Sequence, residues 1–159
     1  MSRGRRISPK GRQVADRLHG NILLGKVINR VMRDGKKTVA EKEVYRALEI
    51  IRKQHENPLE VFSDAIKNVS PQMEVRSRRI GGAAYQVPTM VRGNRKLSLA
   101  IRWLIAEAQS RPTSEFRTFA EKLAAEILDA YKNEGGAFKK KETAHKMAEA
   151  NRAFSHFRW

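Results

Sequence analysis

The sequence predicts a mainly α fold, a single domain of about six helices with an inserted, projecting two-stranded β-hairpin and basic N- and C-terminal extensions. Apolar residues recur every three or four positions over most of the chain, which is typical of amphipathic helices. In residues 72–92 they alternate with polar residues instead, which is typical of strands. The net charge of +16 indicates a polyanionic partner, because such an excess otherwise repels itself.

Length and composition limit the class of protein. The 159 residues suit one domain with one hydrophobic core, and the absence of cysteine excludes disulfides, Cys-based zinc sites and iron–sulfur clusters. No apolar run approaches the roughly 20 residues that span a bilayer. No apolar signal segment follows the basic N-terminus. We therefore expect a cytoplasmic protein with no membrane partner.

The positive charge is concentrated in three blocks. Residues 1–37 carry a net charge of +9, residues 72–102 carry +6 and residues 136–159 carry +4, whereas the stretches between them are slightly acidic. Basicity that serves only solubility is the weaker explanation, since acidic residues do this at least as well. The pattern indicates a folded core that presents basic arms and one basic projection to a phosphate backbone.

The first block begins with a basic N-terminal arm, residues 1–19, which we expect to order only on a partner. Its first dozen residues include the basic side chains Arg3, Arg5, Arg6, Lys10 and Arg12. A helix is predicted over about residues 21–33, and the turn signal Asp34-Gly35 ends it.

Two more helices are predicted before the hairpin. Thr38 is the predicted N-cap of the second, with Glu41 three residues later completing a capping box. Asn57-Pro58 begins the third, because proline is favoured at the first helical position. Pro71 ends it, because the residue before a proline is pushed out of the helical conformation.

Residues 72–92 are predicted to form the hairpin, with Gly81-Gly82 as its turn. Pro88 in the second strand requires an edge position or a bulge. A lone hairpin is marginal in water and no other strand is predicted, so we expect it to project and to be steadied by an outside partner. Tyr85 either packs on its own hairpin, which we favour, or stacks on a base.

Three helices are predicted after the hairpin. Pro112 ends the first, Thr113 or Ser114 caps the second, and Gly135-Gly136 ends the second. The last, over about residues 139–151, is weakly apolar and is expected on the surface.

The C-terminal tail, residues 152–159, contains the aromatic residues Phe154, Phe157 and Trp159. These side chains either dock on the helical core or reach a partner, and the sequence leaves both open.

Signatures of catalysis are weak. Gly35-Lys36-Lys37-Thr38 is similar to the end of a phosphate-binding loop, but Arg30 stands where that loop needs a glycine, and a helix precedes it instead of a strand. The four histidines have no metal-ligand spacing. We therefore predict no catalytic residue, no metal and no cofactor.

The basic hairpin is the strongest candidate binding site. Arg76 and Arg78 are predicted on one face of the first strand and Arg79 on the other. Arginine suits this role because its planar guanidinium binds phosphate through two N–H groups and stacks on bases. The alternative is an edge strand that uses charge only against aggregation. More basic residues follow at the hairpin base and along the next helix, namely Arg92, Arg95, Lys96 and Arg102.

Four motifs resemble the family of bacterial small-subunit ribosomal protein seven. They are Asp34-Gly35-Lys36-Lys37, the run from Glu74 to Pro88, Ala100-Ile101-Arg102-Trp103-Leu104, and the ending from His145 to Trp159. The resemblance covers about residues 20–159. It implies a protein that binds the 3′ major domain of 16S ribosomal RNA, nucleates assembly of the small-subunit head, and lies near the exit-site tRNA and outgoing mRNA. The implied protein partners are other head proteins and the eleventh small-subunit protein.

The resemblance also assigns residues by position. Contacts with ribosomal RNA are expected from Arg3, Arg5, Arg6, Lys10, Arg12, Lys36, Lys37, Arg76, Arg78, Arg79, Arg92, Arg95, Lys96 and Arg102. Proximity to tRNA or mRNA is expected for Arg79, Gly81, Gly82, Ala83, Lys139, Lys140, Lys141, Lys146 and Arg152.

Two alternatives come from other classes of protein. A DNA-binding regulator with a helix-turn-helix would need an exposed polar recognition helix, whereas these helices carry wide apolar stripes. An RNA-modifying enzyme would need a cofactor loop or a nucleophile, and the sequence contains no recognisable one. The sequence leaves open whether the protein also represses its own mRNA, and whether the ribosome is bacterial or organellar.

Overall fold

A computed structural model describes residues 15–157. Within that range the chain forms six α-helices, one two-stranded antiparallel sheet and a short 3-10 helix. In chain order these are α1 (Ile22–Val31), α2 (Lys37–Arg52), α3 (Pro58–Val69), β1 (Met73–Ile80), β2 (Ala83–Met90), α4 (Asn94–Ser110), α5 (Phe119–Tyr131), α6 (Gly135–Ala150) and the 3-10 helix (Arg152–Phe157). The mainly α class and the central hairpin are confirmed. The arm residues Arg3, Arg5, Arg6, Lys10 and Arg12 lie outside the described residues.

One hydrophobic core joins the helices, and α5 contacts α2, α3, α4 and α6. The predicted apolar stripe of α5 supplies Leu123 and Ile127, both almost fully buried, and its alanines let neighbouring helices approach closely. Each such leucine or isoleucine contributes about 2 kcal/mol to folding when fully buried.

The start of α2 differs from the prediction. Thr38 is not an N-cap, because the helix begins at Lys37 and Lys36 precedes it without a side-chain cap. Asp34 and Gly35 both adopt positive φ, 52° and 73°, so the chain reverses tightly and the helix begins before Thr38. Glu41 pairs with the Lys37 ammonium instead, at 3.9 Å.

The start of α5 also differs. Neither Thr113 nor Ser114 is the cap, because the chain makes turns until Thr118. The Thr118 hydroxyl accepts a hydrogen bond from the Glu121 N–H at 3.3 Å, and the Glu121 carboxylate accepts one from the Thr118 N–H at 3.2 Å. This is a complete capping box. The sequence therefore contains two competing start signals, Thr113-Ser114 after Pro112 and the pair Thr118 and Glu121, and the helix uses the second.

The two glycines predicted to end α5 begin α6 instead. The chain leaves α5 through Asn133, which adopts the left-handed conformation with φ 64°. Gly136 lies where α6 packs on α4, and a Cβ there would lie 2.3 Å from a Glu107 carboxylate oxygen. A larger residue at position 136 would therefore require the Glu107 side chain to move. Helix α6 begins at Gly135, four residues before the predicted start.

Residues 15–19, the last part of the predicted arm, lie against α2. Asp16 is only 7% exposed, and its carboxylate accepts hydrogen bonds from the Tyr45 hydroxyl at 2.5 Å and from the His19 and Leu18 N–H groups at 3.0 and 3.2 Å. Burial raises the pKa of Asp16, but these hydrogen bonds outweigh burial and hold the pKa below 3.8. Asp16 thus stays ionised and fixes the chain on α2.

A buried ion pair joins the last three helices. The Glu126 carboxylate is 2% exposed and accepts hydrogen bonds from Nε and Nη2 of Arg111 at 2.9 and 2.6 Å. Arg111 also binds Asp129. The other Glu126 oxygen accepts a hydrogen bond from the Ala137 N–H at 2.8 Å, in the first turn of α6. No local pattern in the sequence indicates that Glu126 is buried.

Replacing Glu126 should destabilise the fold strongly. We expect Glu126→Ala to lower the free energy of unfolding by about 3 kcal/mol, because Arg111 loses its buried partner and the Ala137 N–H loses its acceptor. Urea denaturation followed by circular dichroism measures the change. The exposed Glu115→Ala is the control, with an expected change of less than about 0.5 kcal/mol. Equal stability of the two variants would contradict the assigned role of Glu126.

Candidate nucleic-acid interface

The hairpin places its arginines on two faces. β1 and β2 pair antiparallel, and Gly81 and Gly82 form the turn with φ of 57° and 90°, a conformation that favours glycine. Arg78 pairs with Tyr85 and Arg79 pairs with Ala84, and paired residues share a face of the sheet. Arg76 and Arg78 therefore share one face and Arg79 lies on the other, as predicted.

The C-terminal segment of the same chain packs on the hairpin. The Tyr85 ring lies 5.4 Å from the rings of Phe154 and Phe157, measured between centroids, and Val87 and Pro88 are buried. We had expected an outside partner to steady the hairpin, whereas α6 and the 3-10 helix contact it directly. We name Tyr85, Phe154 and Phe157 the aromatic cluster.

The aromatic cluster settles two questions that the sequence left open. Tyr85 packs on the C-terminal tail, whereas the sequence suggested packing on its own hairpin or stacking on a base. Phe154 and Phe157 dock on the hairpin and not on the helical core. Trp159 lies outside the described residues.

Helix α6 also holds the base of the hairpin. The Gln72 N–H donates a hydrogen bond to Nε2 of His145 at 2.9 Å, and the Lys141 ammonium donates one to the Asn68 carbonyl at 2.8 Å. Burial and the charge of Lys141 lower the pKa of His145 below 6.5. A neutral imidazole is what this contact requires, because a protonated ring has no acceptor.

Glu74 orients two of the predicted RNA-binding arginines. Its carboxylate accepts hydrogen bonds from Nε of Arg76 at 2.7 Å and from Nε of Arg95 at 2.8 Å, which links β1 to α4. Burial raises the pKa of Glu74, but the hydrogen bonds and charges of Arg95 and Arg76 outweigh burial and lower the pKa below 4.5. About half of each arginine side chain remains exposed, so Glu74 fixes the direction of both cations without covering them.

A second cationic surface lies where α1 meets α4. Lys26, Arg30, Asn94 and Ser98 line a groove of about 330 Å³, and the Lys26 ammonium lies 3.5 Å from the Asn94 side-chain oxygen. Lys26 and Arg30 belong to the first basic block but are not among the residues predicted from the sequence to bind RNA. The predicted contacts Arg92 and Arg102 are exposed, and Lys96 is half-buried.

The remaining predicted residues are distributed over other surfaces. Lys36 and Lys37 are exposed between α1 and α2. Lys36 lines a groove with Arg33 and Val39, separate from the hairpin. At the tip of the hairpin, Arg79, Gly81, Gly82 and Ala83 are all exposed.

On α6 and beyond, the predicted cations differ in their contacts. Lys139, Lys146 and Arg152 are exposed. Lys140 pairs with Glu107 at 2.6 Å, and Lys141 already donates to the backbone at Asn68. Lys140 and Lys141 are therefore weaker candidates for external contacts than Lys139, Lys146 and Arg152.

Two kinds of feature are absent from residues 15–157. No helix in this part of the chain combines the length and apolarity that a bilayer crossing needs. The same residues contain no cluster of three or more histidine, aspartate or glutamate side chains with the geometry of a metal site.

The protein thus has a helical body, a β-ribbon that carries arginines, and a cationic groove between α1 and α4. These features are typical of basic proteins that bind nucleic acids. The comparisons with known proteins identify the family. The chain belongs to the family described as ribosomal protein S7p/S5e, whose model matches residues 3–152. The resemblance noted from the sequence is thus confirmed.

Bacterial relatives match the chain over nearly its whole length. A protein of Carboxydothermus hydrogenoformans is 56% identical over 152 residues, which are 95% of this chain and 96% of the relative. One of Thermotoga maritima is 53% identical over 98% of this chain and 99% of its own. One of Azorhizobium caulinodans is 54% identical over 92% of each. All three are named small ribosomal subunit protein uS7, a structural ribosomal protein, so the prediction of a non-enzymatic role is confirmed.

Removing the tail aromatics should loosen the hairpin. In Phe154→Ala with Phe157→Ala, we expect amide hydrogen exchange in β1 and β2 to accelerate about tenfold, because Tyr85 loses its packing partners and a lone hairpin is marginal. Exchange in α5 should stay unchanged. Mass spectrometry of the exchanged peptides measures both regions.

The control for this experiment is Tyr131→Ala, which removes an aromatic ring that contacts His55, away from the aromatic cluster. Exchange in the hairpin should not change in this variant. If the double variant leaves hairpin exchange unchanged, the aromatic cluster does not fix the ribbon.

Proposed function

We propose that this chain is a structural component of the small ribosomal subunit that binds the 3′ major domain of 16S ribosomal RNA and nucleates assembly of the head. The observation that carries the proposal is the ribbon with Arg76, Arg78 and Arg79, which the aromatic cluster joins to the C-terminal 3-10 helix and Glu74 joins to α4. The relatives are named as small ribosomal subunit proteins, which supports the assignment to the small subunit.

Phosphate neutralisation supplies most of the affinity in this account. Each lysine or arginine that meets a phosphate releases condensed counterions, which makes binding favourable and dependent on salt. Specificity comes from RNA shape, because the shallow minor groove of A-form RNA, or a junction of several helices, accepts a two-stranded ribbon. The C-terminal tail packs on the ribbon and orders it before RNA binds. The ribbon therefore loses less conformational entropy on binding.

The α1–α4 surface supplies a second RNA contact. Lys26 and Arg30 line its groove, and the Glu74–Arg95 pair connects α4 to the ribbon. Arg92, just before α4, and Arg102, within α4, are exposed and add further cations. Two cationic surfaces on one rigid body can hold two RNA segments in a fixed relative arrangement. Lys36, Lys37 and the N-terminal arm add further contacts, so the protein acts as a clamp on several segments.

The tip of the ribbon, part of α6 and the start of the 3-10 helix form the third element of the proposal. The exposed residues Arg79, Lys139, Lys146 and Arg152 are the side chains that approach the exit-site tRNA and the outgoing mRNA, with the glycine turn at the same tip. The protein partners are the other head proteins and the eleventh small-subunit protein.

Charge reversal on the ribbon should weaken RNA binding. For Arg76→Glu with Arg78→Glu we expect the Kd for a 3′-domain RNA fragment to rise at least about tenfold at moderate salt, because two phosphate contacts become repulsive. The slope of log Kd against log salt should fall by about 1.5. Filter binding across a salt series measures both quantities.

Lys42→Glu with Lys53→Glu is the matched control, because it changes the net charge equally at two exposed positions, one within α2 and one directly after it. Its Kd should rise much less. Helical content of both variants is checked by circular dichroism, and equal losses of affinity in two folded variants would contradict the role of the ribbon.

A further inference from the structure

Within residues 15–157, none of the lysine and arginine residues proposed to contact RNA lines a further groove, which has an acidic rim. It has a volume of about 540 Å³ and lies between residues 18–19, the C-terminal half of α2 and the start of α3. Its apolar lining includes Leu18, Leu48, Pro58 and Leu59. Leu18 is 69% exposed, which is unusual for a large aliphatic side chain and leaves an apolar surface open at the rim.

The rim of this groove is acidic although the chain as a whole carries a net charge of +16. The carboxylates of Glu49, Glu56 and Glu60 are exposed around it. The described residues that line the groove include one arginine, Arg52, and no lysine. Asp16, whose pKa is held below 3.8, adds a further ionised carboxylate next to Tyr45 in the lining. A phosphate backbone is repelled from such a surface.

The groove beside Lys36 provides a contrast within the same molecule. It is also apolar and has an exposed aliphatic side chain, Val39, which is 55% exposed. Its rim, however, carries the cations Arg33 and Lys36 with Glu43 as the carboxylate. The two grooves thus share an apolar floor but have opposite charge at the rim, which favours different classes of partner.

We propose that the acid-rimmed groove docks a short segment of a neighbouring protein of the particle, with lysine or arginine side chains on either side of an apolar residue. The apolar residue contacts Leu18 and Leu59, and the cations pair with Glu49, Glu56 and Glu60. An apolar centre with complementary charges around it is the usual anatomy of a protein–protein interface. The inference rests on the proposed place in a ribonucleoprotein particle but on none of the RNA contacts.

The test uses intact small subunits that contain the full chain with a photo-crosslinking benzoylphenylalanine at position 18, or at position 39 for comparison. From position 18 we expect crosslinks to a lysine- or arginine-rich segment of another protein. From position 39 we expect crosslinks to ribosomal RNA. Mass spectrometry of the digested particles identifies both products.

A second variant tests the charges. Glu49→Gln, Glu56→Gln and Glu60→Gln together keep the side-chain shapes and should lower the crosslink yield from position 18 by about fivefold, because three exposed ion pairs are lost. The matched control replaces the exposed Glu115, Glu134 and Glu142 by glutamine, and its yield should not change.

Other crosslinks from position 18 overturn the inference, whether to ribosomal RNA, to residues 1–14 of the same chain, or to a segment without basic residues. The inference is also overturned if position 18 forms no crosslink while position 39 does. Incorporation into the small subunit is measured separately. A chain that folds but does not enter the particle contradicts the proposed function and with it this inference, whereas incorporation without the expected crosslink overturns this inference alone.

Discussion

The buried contact between Arg111 and Glu126 is the interaction on which the binding surface depends. It joins the end of α4 to α5, and through the Ala137 N–H it fixes the first turn of α6. Helix α6 in turn holds the base of the hairpin through His145. The position of the arginine ribbon relative to the helical body therefore depends on Glu126, together with the Glu74–Arg95 pair and the aromatic cluster.

The high positive charge sets the second constraint. A net charge of +16 opposes the compact state through self-repulsion, and some of the cations have carboxylate partners that reduce this repulsion. Glu74 is the clearest case, because it pairs with Arg76 and Arg95 yet leaves about half of each side chain exposed. Such a pair reduces repulsion between the cations and fixes the direction of both side chains.

The sequence predicted the features that local patterns determine. Hydrophobic periodicity indicated the helices, and the alternation on either side of Gly81-Gly82 indicated the hairpin and the faces of its arginines. It failed at Thr38 and Thr113, where several capping signals compete and the turn geometry selects another residue. It also missed the burial of Glu126 and the contact of Tyr85 with Phe154, because contacts between residues far apart in the chain leave no trace in a local period. For the site, the sequence predicted where the hairpin arginines lie, and their binding to RNA stays a prediction. The groove at Lys26 and Arg30 and the contacts of Glu74 depend on the packing of α1 on α4 and on the register of the hairpin.

The central claim is that the fixed ribbon recognises the shape of a particular RNA and does not act through charge alone. Its most direct test compares binding to a 3′-domain fragment of 16S ribosomal RNA with binding to duplex DNA of equal length across a salt series. The account predicts a strong preference for the RNA that survives moderate salt, because shape-selective contacts persist when the counterion contribution is reduced. Equal affinities for both nucleic acids that collapse together as salt rises would contradict it and would return the DNA-binding interpretation to consideration.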